Sequence, residues 1–411
     1  MLAVADVSDG NHLSIAEDFV EEGVRYLRGQ DLTDFFVSDG DPIYIPESTY
    51  DELERSHMLP GDVLVGIVGT IGTVALVTDR HGKLTGSCKL AIVRPKSLPG
   101  EYIAAYLSSR LGQYEIARRV RGAVQMGLIL PDLREIPVLK PSKTLLREVV
   151  DCVRRAGIER RRAAETITKA ESVVMEAIAL PNVKLSSTRS YTVRFSDFEA
   201  AARFGAEYFM PAKKRVVDAM RKLPHRSVEW HAPSVRKMFS PEDADPRTLV
   251  RNFDLSDALQ PYLDDSKEPV RAVSIGSTKK VLQHGDVVVS RLRSYLKEIA
   301  VVNTEVAVGS SEFIVLRPTD SGLSAETLMV FLRCPLVQTI LKWSQDGSNH
   351  PRFTEQDLLA VPVPNAVQDV QRDVDRLVRS AIASKQKSED FLKAARAAIE
   401  QTVDASPVVT G

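Results

Sequence analysis

The sequence predicts an α+β protein made of two tandem α+β domains, each followed by a long helix, the two helices pairing as an antiparallel coiled coil. Three observations carry this expectation. First, the chain repeats itself. Gly61-Asp62-Val63-Leu64-Val65 returns 224 positions later as Gly285-Asp286-Val287-Val288-Val289. Gly86-Ser87 and Arg94-Pro95 return 223 positions later as Gly309-Ser310 and Arg317-Pro318, and Ile136-Pro137-Val138 returns 225 positions later as Val361-Pro362-Val363. Second, short apolar runs precede a stretch of helical spacing in each copy. Third, each copy ends in a long heptad pattern. A repeat of this length far exceeds solenoid periods and implies a duplicated domain with an approximate internal two-fold.

In chain order, the first domain, residues 1–141, opens with short apolar runs punctuated by Gly and Pro. Pro42-Ile43-Tyr44-Ile45-Pro46, Val63-Leu64-Val65, Val74-Ala75-Leu76-Val77 and Leu90-Ala91-Ile92-Val93 read as strands. Between Glu101 and Arg121 the spacing of Tyr102, Ala105, Tyr106, Ser109 and Gln113 predicts a helix. Residues 142–180 form the first long helix, with Val149, Val153, Ala156, Arg160, Ala163, Ile167, Ala170, Val174 and Ala177 alternating steps of four and three. The second domain, 181–364, repeats the scheme with Val287-Val288-Val289, Ile299-Ala300-Val301-Val302, Phe313-Ile314-Val315-Leu316 and a helix near Thr327 to Leu341. The second long helix, 365–402, carries Val370, Val374, Leu377, Ala381, Ser384, Ser388, Phe391, Ala395 and Ala398 on its seam, and 403–411 reads as a disordered tail. Pro141 and Pro181 bound the first helix and Pro364 precedes the second, with Ser142 and Asn365 as N-caps. Roughly 35 residues at 1.5 Å each give about 50 Å of helix, a length suited to a spacer.

Composition sets the outer limits. The 411 residues are 44% hydrophobic and 27% charged, ordinary for a globular protein of two or three domains. No apolar stretch approaches the roughly 18 to 20 residues that span a bilayer, and the start Met1-Leu2-Ala3-Val4-Ala5-Asp6 lacks the basic and apolar regions of a signal peptide, so a cytoplasmic location is expected. Cys88, Cys152 and Cys334 are far apart and form no CxxC pair, which fits reduced thiols and excludes a zinc ribbon. The net charge of −1 means that any nucleic-acid binding must come from local basic faces.

The order of globular domain and proline-bounded helix, twice over, resembles the specificity subunit of type I restriction-modification systems. Local phrases agree. Asp9-Gly10-Asn11-His12 with Gly23-Val24-Arg25-Tyr26-Leu27-Arg28-Gly29-Gln30-Asp31 resembles the opening of that family's target recognition domain. Leu59-Pro60-Gly61-Asp62-Val63-Leu64-Val65, Gly69-Thr70-Ile71-Gly72 and Ile136-Pro137-Val138 resemble its middle and end. Arg203-Phe204-Gly205-Ala206-Glu207-Tyr208-Phe209 and Gly285-Asp286-Val287-Val288-Val289-Ser290-Arg291 are similar to another version of the same domain. The resemblance covers nearly the whole chain. It implies a non-catalytic subunit whose two target recognition domains each read a short half-site of a bipartite, asymmetric DNA target. It also implies double-stranded DNA and two methyltransferase subunits as partners, with restriction and translocase subunits where cleavage accompanies modification. The S-adenosylmethionine belongs to the methyltransferases, and no cofactor is expected in this chain. The larger seam residues, Val149, Val153, Ile167, Val174, Val370, Val374, Leu377 and Phe391, are then candidates for the helix pair and the partner surface.

The residues offer little to an enzyme. No Asn-Pro-Pro-aromatic or Asp-Pro-Pro-aromatic loop for a flipped adenine is present. Val68-Gly69-Thr70-Ile71-Gly72 lacks the Lys-Ser/Thr of a phosphate loop and reads as a tight turn. Pro131-Asp132-Leu133-Arg134-Glu135 has no catalytic lysine after it and reads as a surface turn, and the seven histidines form no metal pattern.

Candidate DNA-reading residues are flexible polar or bidentate side chains expected in loops. In the first domain these are Asn11, His12, Arg25, Arg28, Gln30, Lys89 and Gln125. The alternatives are that Asn11 and His12 cap a turn and that Arg25 and Arg28 pair with Glu21, Glu22 or Asp31. In the second domain, alternation along a strand over Ser290–Lys297 puts Arg291, Arg293, Tyr295 and Lys297 on one face, suited to phosphates and bases or else merely solvated. Asn349, His350 and Arg352 form a second, weaker polar cluster there, and Arg160-Arg161-Arg162 reads either as a contact to DNA across the spacer or, as is commoner on a long helix, as a solvated face. Two other readings stay open: a specificity-like subunit of another phage-defence or methylation assembly, and a coiled-coil scaffold whose globular domains bind protein.

Overall fold

The structure, a computed structural model, describes residues 1–404 except 33, 34, 39, 41, 123–125, 202, 204, 348 and 349. The predicted tail therefore lies outside the described residues from position 405 on. The chain divides into two compact units. One holds Met1 to Arg162 with the residues from Ser384 onward, and the other holds Ala163 to Ala383.

In the first unit a four-stranded antiparallel sheet runs in the order Ala5–Asp9, Leu90–Pro95, Val63–Gly66, Val74–Leu76. Its central strands are continuous apolar runs because both faces are covered. Val63, Val65, Val74, Leu76, Ala91 and Val93 point into a core shared with the helix Gly100–Ser108. Leu64, Ala75, Leu90 and Ile92 point the other way, against Leu27, Met58 and Leu84. Behind them lies a three-stranded sheet, Ile43–Ile45, Val24–Leu27, Leu84–Gly86, whose last two strands are parallel.

The second unit repeats this arrangement. Val287–Ser290 lies between Ile299–Val302 and Phe313–Leu316, with Tyr262–Leu263 and Ser234–Val235 at the edges. Val287, Val289, Ile299, Val301, Ile314 and Leu316 face the core beneath the helix Ala325–Arg333, and Val288, Ala300, Val302, Phe313 and Val315 face Phe253 and Leu282. The second sheet again carries a parallel pair, Leu249–Phe253 with Ala307–Gly309.

The repeated phrases are repeated hydrogen bonds. Gly61 and Gly285 adopt φ of +95° and +83°, a conformation open to glycine, and their amides donate to Val77 and Val302 carbonyls, each at 2.9 Å. The next residue is a buried aspartate in both cases. Asp62 accepts from the Leu59 amide at 2.8 Å and from Arg94, and Asp286 accepts from the Gln283 amide at 2.8 Å and from Arg317. The Gly-Ser phrase closes the parallel pair, with Ser87 and Ser310 amides donating to Leu27 and Phe253 carbonyls, each at 3.0 Å.

Where one helix was expected over 101–121 and again near 327–341, each is two. Gly100–Ser108 is followed by Arg110–Ala117, and Ala325–Arg333 by Pro335–Lys342. In the second copy Pro335 lacks an amide hydrogen and forces Cys334 into extended geometry, ψ 147°. In the first copy the Ser109 hydroxyl caps the new helix, and the chain returns so closely that a Cβ on Gly112 would lie 2.2 Å from the Tyr106 carbonyl. Pro131–Glu135 is likewise no surface turn: the helix Leu130–Arg134 occupies it, and Asp132 is buried because Arg121 supplies its counter-charge.

The long helices are Lys143–Ile178 and Gln371–Asp404, and they pack together antiparallel. In the first unit Val149, Val153 and Ala156 meet Leu392, Ala395 and Ile399, and the buried Ser388 hydroxyl donates to the Ala156 carbonyl at 2.8 Å. In the second unit Ala170, Val174 and Ile178 meet Val374 and Val378. Ile167, Val370, Leu377 and Phe391 are half-buried at the margins of these clusters, while Val378, Leu392 and Ile399 are enclosed. The stripe is wider than a bare heptad seam because each helix also roofs its domain core. Ser142 caps the first helix through its hydroxyl, which accepts from the Leu145 amide at 3.1 Å. Asn365 does not cap through its side chain; a short helix, Ala366–Asp369, follows it, and the long one starts after Val370.

Candidate nucleic-acid interface

Each unit presents one pair of loops built on the same backbone frame. In the second unit, strand Val287–Ser290 ends and the Ser290 hydroxyl accepts from the Leu292 amide at 3.3 Å. The expected strand alternation from Arg291 to Lys297 does not occur. Arg293 and Lys297 take left-handed φ of 45° and 52° around a single turn of 3-10 helix, Ser294–Leu296, and a strand cannot pass through two such residues. The four side chains therefore share a loop and not a strand face. Arg293 and Tyr295 are exposed, Tyr295 by 56%. Arg291 and Lys297 are half-buried, and Arg333, its side chain 14% exposed, clamps the Lys297 and Ile299 carbonyls with bonds of 2.8 and 3.2 Å.

The second predicted cluster comes to the same place. The Arg293 amide donates to the Pro351 carbonyl at 3.1 Å, the Phe353 amide to the Arg291 carbonyl at 3.2 Å, and Leu292 bridges Arg352. Arg352 forks onto Glu312, Nη2 to Oε1 at 2.9 Å and Nε to Oε2 at 3.2 Å, and Arg291 Nε stands 3.7 Å from the same carboxylate. Hydrogen bonding from Arg352, with the nearby Arg291 charge adding to it, holds the Glu312 carboxyl below its ordinary value. His350 is exposed beside them. Asn349 lies outside the described residues.

The first-unit candidates are dispersed. Asn11 is buried and its amide closes a turn on Leu13, accepting at 2.8 Å and donating at 3.0 Å. His12 projects outward, 64% exposed, with Nε2 2.6 Å from Asp9. Arg25 is buried, donates to the Ser38 carbonyl and lies 3.8 Å from Asp31. Arg28 pairs with the same aspartate at 3.3 Å, and the Gln30 side-chain amide lies beside the Arg28 guanidinium. Burial raises the Asp31 carboxyl, and hydrogen bonds from Arg28 oppose that rise. Of the alternatives left open by the sequence, the geometry of Arg25 and Arg28 is thus that of partners to Asp31. Lys89 is exposed. Gln125 lies outside the described residues.

The counterpart loops of the first unit are residues 66–73 and, among the described residues, 120–122 with 126–128. The Ile67 amide donates to the Lys89 carbonyl and the Leu128 amide to the Ile67 carbonyl, both at 2.9 Å, and Val68 bridges Gly127. Val68-Gly69-Thr70-Ile71-Gly72 is the tight turn expected, with φ of +80° and +83° at its glycines. Arg118, Arg121, the aromatic Tyr114 and Met126 are exposed. Sequence reasoning passed over them because Arg118-Arg119-Val120-Arg121 falls at the end of a predicted helix. Mapping residues 346–352 back by 225 positions, to 121–127, would have found Arg121 and Met126.

Such loops, bearing arginine, lysine, histidine and exposed tyrosine, can contact phosphates, stack on bases and donate to base edges. Among the described residues no group of three or more His, Cys, Asp or Glu side chains could hold a metal ion, and no helix is long and apolar enough to cross a membrane.

No family model matches the chain, and no curated protein matches it. Solved structures do. One is the S subunit of a type I restriction-modification system from M. genitalium, 13% identical, with a TM-score of 0.40 over 96% of this chain and 94% of that one. Another is a structure of a type I restriction-modification system described in terms of its assembly and conformational transition, 14% identical, with a TM-score of 0.31 over 97% of each chain.

Proposed function

We propose that this chain is the DNA specificity subunit of a type I restriction-modification system. The observation that carries the reading is the duplicated loop frame. Two units set their loops with the same backbone hydrogen bonds, yet dress them with different side chains. One scaffold used twice with altered polar tips is what reading two different short DNA sequences requires. The motifs shared with target recognition domains and the two long helices support the same reading.

In this reading each unit contacts one half of a bipartite, asymmetric site, and the paired helices set the unread spacer. The chain carries no catalytic residue. Two methyltransferase subunits bring S-adenosylmethionine and transfer the methyl group, a translocating nuclease joins where restriction occurs, and the assembly works in the cytoplasm. The test is single-molecule sequencing of methylated adenines in cells with and without this gene. Loss of one split motif with a fixed gap is the expected result. An unchanged methylome in cells whose partner methyltransferase is active would refute the reading.

A further inference from the structure

We infer that Arg291, Glu312 and Arg352 form the specificity-determining site of the second unit, with the two arginines reading a guanine and Glu312 acting as their positioning residue. The assignment rests on the specificity reading above and adds the base, the residues and their roles.

Three observations lead to it. The three residues come from separate segments, yet their main chains are pinned to one another. The Arg291 amide donates to the Glu312 carbonyl at 3.1 Å, the Phe353 amide to the Arg291 carbonyl at 3.2 Å, and Arg352 exchanges two 2.9 Å bonds with Asp346. The side chains therefore leave from fixed points. Next, the Glu312 carboxylate engages Arg352 through both oxygens and lies beside Arg291, which fixes the plane of one guanidinium and the approach of the other. All three side chains remain between 31% and 41% exposed, open to a ligand. Two guanidiniums on one carboxylate leave a net positive charge beside exposed Arg293, Tyr295 and His350. Last, the first unit holds the same frame with Ile67, Lys89 and Gly127 in the equivalent places, where the bonds Ile67 to Lys89 and Leu128 to Ile67 recur. At these three places the backbone bonds recur while the side chains differ. That is the expected mark of a readout position, because a structural position would tend to keep its chemistry.

The chemistry names the base. A planar guanidinium presents two parallel donors, and guanine alone presents two acceptors, O6 and N7, side by side in the major groove. The first unit, with one lysine and no fork, has no such reader at this place. Its half-site need not carry a guanine there.

The test uses the full chain with its methyltransferase partners in cells, and reads the methylated motif by single-molecule sequencing for wild type, Glu312→Gln and Arg352→Lys. The expected result is a motif whose spacer and one half are unchanged, while a single guanine in the other half becomes degenerate. Discrimination at that position should fall roughly 5- to 150-fold, the worth of one bidentate contact. A merely structural role would lower methylation at every site without changing the motif, and that result overturns the inference. So does an unchanged motif in both variants, or degeneracy at a base other than guanine. Absence of any split motif for the wild-type chain would instead defeat the specificity reading itself, and this assignment with it.

Discussion

Replacing Arg317 with glutamine should destabilise the second unit more than replacing Asp286 with asparagine, although Arg317 is the partner that faces solvent. Asp286 is 1% exposed and Arg317 39%. The carboxylate accepts Arg317 Nε at 2.7 Å, Arg317 Nη2 at 2.9 Å and the Gln283 amide at 2.8 Å. Without the arginine, a charge stays in the interior with one backbone donor. Breaking a buried pair in this way costs about 3–5 kcal/mol, and the screening that reaches an exposed arginine moves the expectation to the lower end, about 3 kcal/mol. Without the aspartate charge, two charge-assisted bonds are lost, but Arg317 rehydrates through its open side, leaving a cost of about 1–2 kcal/mol. The double variant removes the stranded charge and should lie within about 1 kcal/mol of Asp286→Asn alone, far from additive. Both tryptophans, Trp230 and Trp343, lie in this unit, so urea unfolding followed by tryptophan fluorescence reports it selectively. Arg94→Gln, which strands Asp62 in the first unit, should leave that fluorescence transition in place and shift only the signal by circular dichroism. If Arg317→Gln costs less than Asp286→Asn, or if the two effects add, burial of the aspartate is not what sets the energetics.

Arg333→Met should free the loop that carries Arg293 and Tyr295. It takes the side-chain donor from the Ile299 carbonyl at a cost of about 1–3 kcal/mol, while the Lys297 carbonyl keeps the Ile299 amide at 2.8 Å, and amide exchange over residues 291–299 should quicken while the strand Phe313–Leu316 stays protected. Glu312 has a depressed carboxyl pKa, so its contribution to stability is complete above the ordinary glutamate value of about 4.3 and is lost as the pH falls through the lower folded value. The stability gap between wild type and Glu312→Gln should accordingly be wide at neutral pH and shrink in acid; a gap of constant size contradicts the ion pair. Gly112→Ala places a Cβ against the Tyr106 carbonyl and should cost several kcal/mol by circular dichroism, about 3 or more, with no change in the tryptophan transition. Ile399→Ala opens a cavity where the helices meet in the first unit, and a loss of about 2–4 kcal/mol is expected in the same assay.

The duplication, the central strands and the two long helices are legible in the sequence alone. These are local signals. Val63–Val65 and Val287–Val289 are apolar on both faces, Gly61 and Gly285 are needed where φ is positive, and a seven-residue stripe repeats through each long helix. The pairing of Asp31 with Arg28 is also local, three residues apart. Distant pairings left no such mark. The extension of a strand through Arg291–Lys297 looked reasonable by alternation, but left-handed geometry at Arg293 and Lys297, held by Arg333 from the helix above, folds that run into a loop. Likewise, only the folded chain brings Arg352 to Glu312 across 40 positions and sets Arg291 beside them. Periodicity specifies which face of an element is apolar. Which charged side chains meet at the tips depends on strand register and on how the chain returns between distant elements, and no pattern within a short window encodes that.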